Sequence, residues 1–213
     1  MTTTTADNVT PGVEPTPEQT RRGRRTALLL FAVGFGPMVL ATIMFYTGWL
    51  NPAGHSNQGQ LLQPVVPVQA LNLETGSGVP LADRFGVDQP EAKWLMLVTA
   101  GSCQKDCEQL LYLARQVNIA LGKNAPRVGR AAYLASTPAA LEARWSEEYS
   151  LMERLRVAPG ATPAWPAGVN PANEPRILLV DPFGNVMMHY GSEHTGKDML
   201  EDLKHLLKLS QIG

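Results

Sequence analysis

The chain has 213 residues, of which 44% are hydrophobic and 17% charged, with a net charge of -1. That length suits one domain of about 150 residues plus a further segment, and such a domain can bury a core without metals or multiple disulfides. The near-zero net charge excludes a chain-wide basic footprint, so nucleic acid is not an expected partner.

Met1–Thr20 is rich in Thr and Pro and poor in large apolar residues. It cannot bury enough surface to fold alone, so residues 1–25 are expected to be a disordered cytoplasmic tail ending in a basic cluster. That cluster is Arg21, Arg22, Arg24 and Arg25, and no further charged residue occurs before Glu74. Residues 26–50 carry no formal charge and read as a transmembrane anchor. As a helix they would span ~37 Å, more than the ~30 Å hydrocarbon core. Tyr46 and Trp49 fall at the distal end, where amphipathic rings favour the interface. The run exceeds the ~7–15 apolar residues of a signal peptide and has no clean A-x-A site after it, so the anchor is expected to stay uncleaved. Arginines before the span place the N-terminus in the cytoplasm. The remainder is then exported, across the inner membrane of a bacterium, into the periplasm.

Residues 51–60, with Pro52, Gly54 and Gly59, read as a tether, and residues 61–213 as the globular domain. Val66–Leu73 is extended in character. Trp94–Thr99 is a continuous apolar run, suited to a strand buried on both faces. Apolar spacing predicts a helix over Glu108–Leu121, closed by Gly122. Val128–Leu134 is a second core strand. Thr137 should cap a helix with Pro138 at its first position, continuing to about Arg156. Ala158–Pro175 is a long irregular stretch with five prolines. Arg176–Asp181 and Val186–Tyr190 form a hairpin around Pro182–Asn185, and Lys197–Leu209 is an amphipathic helix. This order predicts an α/β sheet with helices on both faces, in a thioredoxin-like layout.

The two cysteines, Cys103 and Cys107, follow the first core strand and open a helix. Unpaired N–H groups at a helix start favour thiolate over thiol, and Lys105 adds a cation. An i, i+4 pair on a regular helix has Cβ atoms ~5–6 Å apart, which suits two thiolates on one soft ion such as Cu(I). A disulfide needs a closer approach, so oxidation requires Cys103 to sit just before the regular helix. A bridge closing so short a loop constrains the unfolded chain weakly, which favours redox or metal use over a structural staple. Cys103 and Cys107 are therefore the candidate catalytic and metal-ligating residues. The expected order in exchange is attack by Cys103, with Cys107 resolving.

The extended ALNLETGSGVPLADRFG, the strand WLMLVTAGSC leading into CxxxC, and the hairpin ILLVDPFGNVMMHYG resemble the Sco/SenC family over roughly Ala70–Leu207. Members of that family are membrane-anchored, thioredoxin-fold proteins of cytochrome c oxidase assembly. The resemblance implies copper as cargo or cofactor, held by Cys103 and Cys107 with a distant histidine. It also implies a cytochrome c oxidase subunit or other assembly factors as partners, beside the lipid bilayer. The chain departs from the pattern at Gln104, Lys105 and Glu108, where the family shows Pro, Asp and Pro. The place of the ligand histidine falls near Asn173, and the four histidines, His55, His189, His194 and His205, lie elsewhere. A general thiol–disulfide oxidoreductase, with Pro175 as counterpart of the thioredoxin cis-proline, and a non-catalytic tethered interaction module are the alternative functions.

Overall fold

The computed structural model describes residues 16–47 and 57–210. They fall in two compact units, one within Met1–Gly54 and one within His55–Gly213.

The first unit is a single helix, α1 (Pro17–Thr47), long and apolar enough to cross a membrane. It starts earlier than the expected anchor and carries the four arginines on helical backbone, so residues 17–25 are not a disordered tail. The local chemistry accounts for this. Thr16-Pro17-Glu18-Gln19 is a capping-box sequence with proline at the first helical position, and the Gln19 Oε1 accepts the Thr16 N–H at 3.1 Å. Arginine is also a good helix former. The expectations for residues 1–15, Trp49 and most of the tether lie outside the described residues.

The second unit is built on a seven-stranded sheet. In chain order its elements are β1 (Gln60–Pro67), β2 (Leu73–Thr75), β3 (Trp94–Ser102), α2 (Lys105–Ala120), β4 (Val128–Ser136), α3 (Ala139–Glu148), β5 (Glu153–Val157), β6 (Arg176–Val180), β7 (Asn185–Tyr190) and α4 (Gly196–Leu209). The strand order is β1-β7-β6-β3-β4-β5-β2. β3, β4 and β5 run parallel; β6 is antiparallel to β3, β7 to β6, β1 to β7 and β2 to β5. Pro64 and Pro67 are confined to the edge strand β1, where a missing N–H costs no ladder bond.

β3 lies near the middle and buries Trp94–Ala100 without interruption. Its alternate residues feed two cores. Trp94, Met96, Val98 and Ala100 pack with α2, α3 and α4, whose Leu110, Leu141 and Leu203 are fully buried there. Leu95 and Leu97 pack on the other side with Val68, Leu71, Leu81, Leu178 and Val169. The expectation of helices on both faces is thus corrected: all three helices of this unit share one core. Strand order explains it. β3-α2-β4 and β4-α3-β5 advance in the same direction, and right-handed crossovers that keep one direction stack their helices on one face. The opposite face is closed by 3-10 turns (Val68–Leu71 and Leu81–Arg84) and by the proline-rich stretch through Trp165 and Val169.

Two further boundaries differ from the sequence reading. Pro138, not Thr137, occupies the N-cap of α3, its carbonyl accepting the Leu141 and Glu142 N–H groups. That helix stops at Glu148, and Glu153–Arg156, expected to be its last turn, lies in β5. At the other end of the chain, α4 starts on a complete capping box between Thr195 and Asp198.

Candidate functional site

β3 delivers the first cysteine and α2 the second. The strand ends at Ser102, Gln104 is extended (φ -110, ψ -164), and the helix begins at Lys105. Cys103 therefore precedes the N-cap, and Cys107 is the third helical residue. Because Cys103 lies outside the regular helix, the two Cα atoms come to 5.0 Å, and the sulfurs form a disulfide. The geometry that oxidation requires is present. Gln104 supplies no side-chain cap, so its side chain does not take up the first-turn N–H groups at the helix start that carries this pair. Asp106 and Glu108 lie in the first turn, where their charge suits the helix dipole. Glu108 also holds Arg144 of α3 in an ion pair, and Arg144 reaches on to Glu148. These carboxylates raise the Arg144 pKa above its ordinary value. The second helix start is thereby tied to the third helix one residue past Cys107.

Both cysteines are buried, Cys103 at 0% and Cys107 at 1% exposure, and they join the helical core. Cys103 is held from below, its N–H donating to the Ser136 carbonyl at the end of β4. A cleft of about 280 Å³ lies beside Cys107, lined also by Ser102, Gln104, Lys105, Pro171, Asn173 and Pro175. The outer wall of this cleft is the end of the proline-rich stretch. It is pinned where the Gly101 N–H donates to the Pro171 carbonyl. Only glycine fits there: a Cβ on residue 101 would lie 2.8 Å from the Ala172 Cα and 3.0 Å from the Pro171 oxygen. Asn170 closes the same turn, its side-chain oxygen accepting the Ala172 N–H at 3.1 Å. Sequence reasoning passed over Gly101 and this wall. The available signal was a glycine inside a buried strand, which marks a close backbone approach.

The structure brings Asn173 and Pro175 to the cysteines, 66 to 72 residues away in sequence. Pro175 is trans, because the cis peptide among the described residues is Gln63–Pro64. It thus occupies the expected neighbourhood without the isomer that thioredoxins use. No histidine lines the cleft. His189 is 6% exposed on β7, its Nδ1 unpartnered, and burial followed by the charge of Arg176 lowers its pKa. His194 accepts the Gly191 N–H on Nδ1, His205 is exposed on α4, and His55 lies outside the described residues. Among the described residues no group of three or more His, Cys, Asp or Glu side chains could hold a metal ion. A three-ligand copper site does not fit these residues; the reduced pair would offer two thiolates and, at Asn173, a carboxamide.

A strand-to-helix CxxxC on a sheet of parallel and antiparallel strands, preceded by one transmembrane helix, defines a membrane-anchored thioredoxin-like protein. Residues 94–210 match the family of transmembrane-like, thioredoxin-like C-terminal domains, and residues 17–48 match the transmembrane-like N-terminal domain that goes with it. The chain belongs to this family of transmembrane-like, thioredoxin-like proteins. No curated protein matches the sequence.

Sco-family proteins are among the similar solved structures. BsSco, a member of the Sco family of cytochrome c oxidase assembly proteins in which a disulfide switch was identified, is 13% identical with a TM-score of 0.43, over 72% of this chain and 98% of that one. Copper-bound ScoI of Bradyrhizobium japonicum is 20% identical with a TM-score of 0.41, over 69% and 98%. A thiol peroxidase from Chromobacterium violaceum is 13% identical with a TM-score of 0.44, over 74% and 91%. The thioredoxin-like assignment rests on the family match and the strand order.

Proposed function

We propose that this protein is a Sco-like accessory factor of cytochrome c oxidase assembly, anchored in a bacterial inner membrane with its thioredoxin-like domain in the periplasm. Its chemistry is thiol–disulfide exchange through Cys103 and Cys107 with client thiols. The observation that carries this reading is the disulfide itself: a bridge of sequence separation 4, set at the uncapped start of α2 and beside a cleft. A bridge across so small a loop is a poor staple, and the helix start stabilises the thiolate released on reduction. The arginines in the first turns of α1, ahead of its apolar run, support export of the domain.

Copper handling is the weaker branch of the proposal. It requires the reduced pair, and the residue at the family's histidine place, Asn173, is a poor Cu(I) ligand. Titration of the reduced protein with Cu(I) against a competing chelator tests that branch, and absence of binding removes it. The proposal as a whole is tested by replacing Cys103 and Cys107 with Ser in the host. Loss of assembled, active oxidase is expected. Unchanged oxidase would favour a tethered interaction module in which the cysteines are dispensable.

A further inference from the structure

We infer that Cys107, not Cys103, is the sulfur that a partner thiol meets. This rests on the thiol-exchange reading above and reverses the order expected from the sequence. Two observations carry it. Cys107 lines the cleft between the start of α2 and the Pro171–Pro175 wall, and Cys103 does not. Both cysteines are buried, so burial does not separate them; the Cys103 backbone is fixed away from the cleft side by its N–H bond to the Ser136 carbonyl of β4. A group entering the cleft therefore reaches Cys107 first. The leaving side is also suited. Cys103 immediately precedes the N-cap of a helix whose N-cap side chain makes no capping bond, so the thiolate expelled there lies near the positive end of the dipole.

The exchange balances in two steps. A partner thiolate attacks the Cys107 sulfur, a partner–Cys107 disulfide forms, the Cys103–Cys107 bond breaks, and Cys103 leaves as thiolate. A second partner thiolate then attacks the partner's own sulfur and releases Cys107 as thiolate. The partner pair is oxidised by two electrons and the protein pair reduced by two. Lys105 and Asp106 border the cleft, so a partner cysteine flanked by polar residues suits it better than one in an apolar segment.

The test uses the full chain in detergent, oxidised, with glutathione as the probe thiol. The reaction is stopped with acid at early times and free thiols are then alkylated. Cleavage after Lys105 separates Cys103 (residues 94–105) from Cys107 (residues 106–115). Glutathione is expected on the 106–115 peptide and alkyl on the 94–105 peptide. In addition, Asn173→Trp, which fills the cleft, is expected to slow adduct formation several-fold with the disulfide intact. Glutathione on the 94–105 peptide, or equally on both, overturns the assignment, as does an unchanged rate in the Asn173 variant. No adduct on either peptide, under conditions that reduce an unfolded control, sinks the exchange reading and this inference with it.

Discussion

Gly101→Ala is expected to accelerate reduction of the Cys103–Cys107 disulfide. The added methyl would sit 2.8 Å from the Ala172 Cα and 3.0 Å from the Pro171 oxygen, both of them backbone atoms that cannot swing aside as a flexible side chain would. Ordinary contact begins at 3.4 Å, so the wall of the cleft must retreat by about 0.6 Å, and the Gly101–Pro171 hydrogen bond is stretched with it. Overpacking of this kind costs ~1–3 kcal/mol. A value of about 2 kcal/mol, applied to the seated wall only, raises the population with the wall displaced about 30-fold. The assay is the pseudo-first-order rate of reduction by dithiothreitol, followed by alkylation and gel shift, for the native protein and the variant. A thermal melt run beside it shows whether the rest of the domain keeps its stability. A rate within twofold of native, with the fold intact, would refute the claim that the Pro171–Pro175 wall controls access to the sulfurs.

Asp202 accepts the Gln58 and Gly59 N–H groups and the Tyr190 hydroxyl at 2.9–3.0 Å, tying the start of the sheet to α4. Asp202→Ala orphans these donors and should cost about 3 kcal/mol, seen as a melting temperature lowered by roughly 6–12 °C; Tyr190→Phe should cost about 1 kcal/mol. His189 has a folded-state pKa below its ordinary value because burial, and then Arg176, disfavour its charge; Glu193 pulls the other way and His194 adds to the lowering. The unfolded chain therefore binds the proton first as pH falls through about 6.5, and stability should drop between pH 7 and pH 5.5. Urea unfolding should show that slope in the native protein and a flatter one in His189→Gln. Replacing Arg21, Arg22, Arg24 and Arg25 with Glu should invert the membrane orientation, read by protease access to the C-terminal domain in sealed spheroplasts.

Most of the framework was legible because its signals are local. WLMLVTA reads as a strand buried on both sides, and it is the near-central strand β3. The apolar spacing after Cys107 reads as a helix, and α2 buries Leu110, Leu111, Ala114 and Val117. Where the reading failed, competing local signals or distant contacts decided. Glu153–Val157 is rich in helix formers and follows a helical pattern, but Tyr149 ends that helix, and pairing with β4 and β2 draws the segment into the sheet. Thr16–Gln19 carried a capping signal inside a segment dismissed on composition. The single-faced placement of the helices depends on strand order, which no short window encodes. At the site, the cysteines and their strand-to-helix setting were visible, while the wall that covers them was not. Pro171, Ala172 and Asn173 reach Gly101 and Cys107 only through the tertiary fold.

The decisive quantity is the reduction potential of the buried sulfur pair, obtained by equilibrating the full-length protein in glutathione buffers of graded ratio. An exchangeable pair should titrate at a potential less negative than about -300 mV, within the range of thiol–disulfide catalysts. A pair still oxidised below that value would be a permanent cross-link, and the redox account would be contradicted.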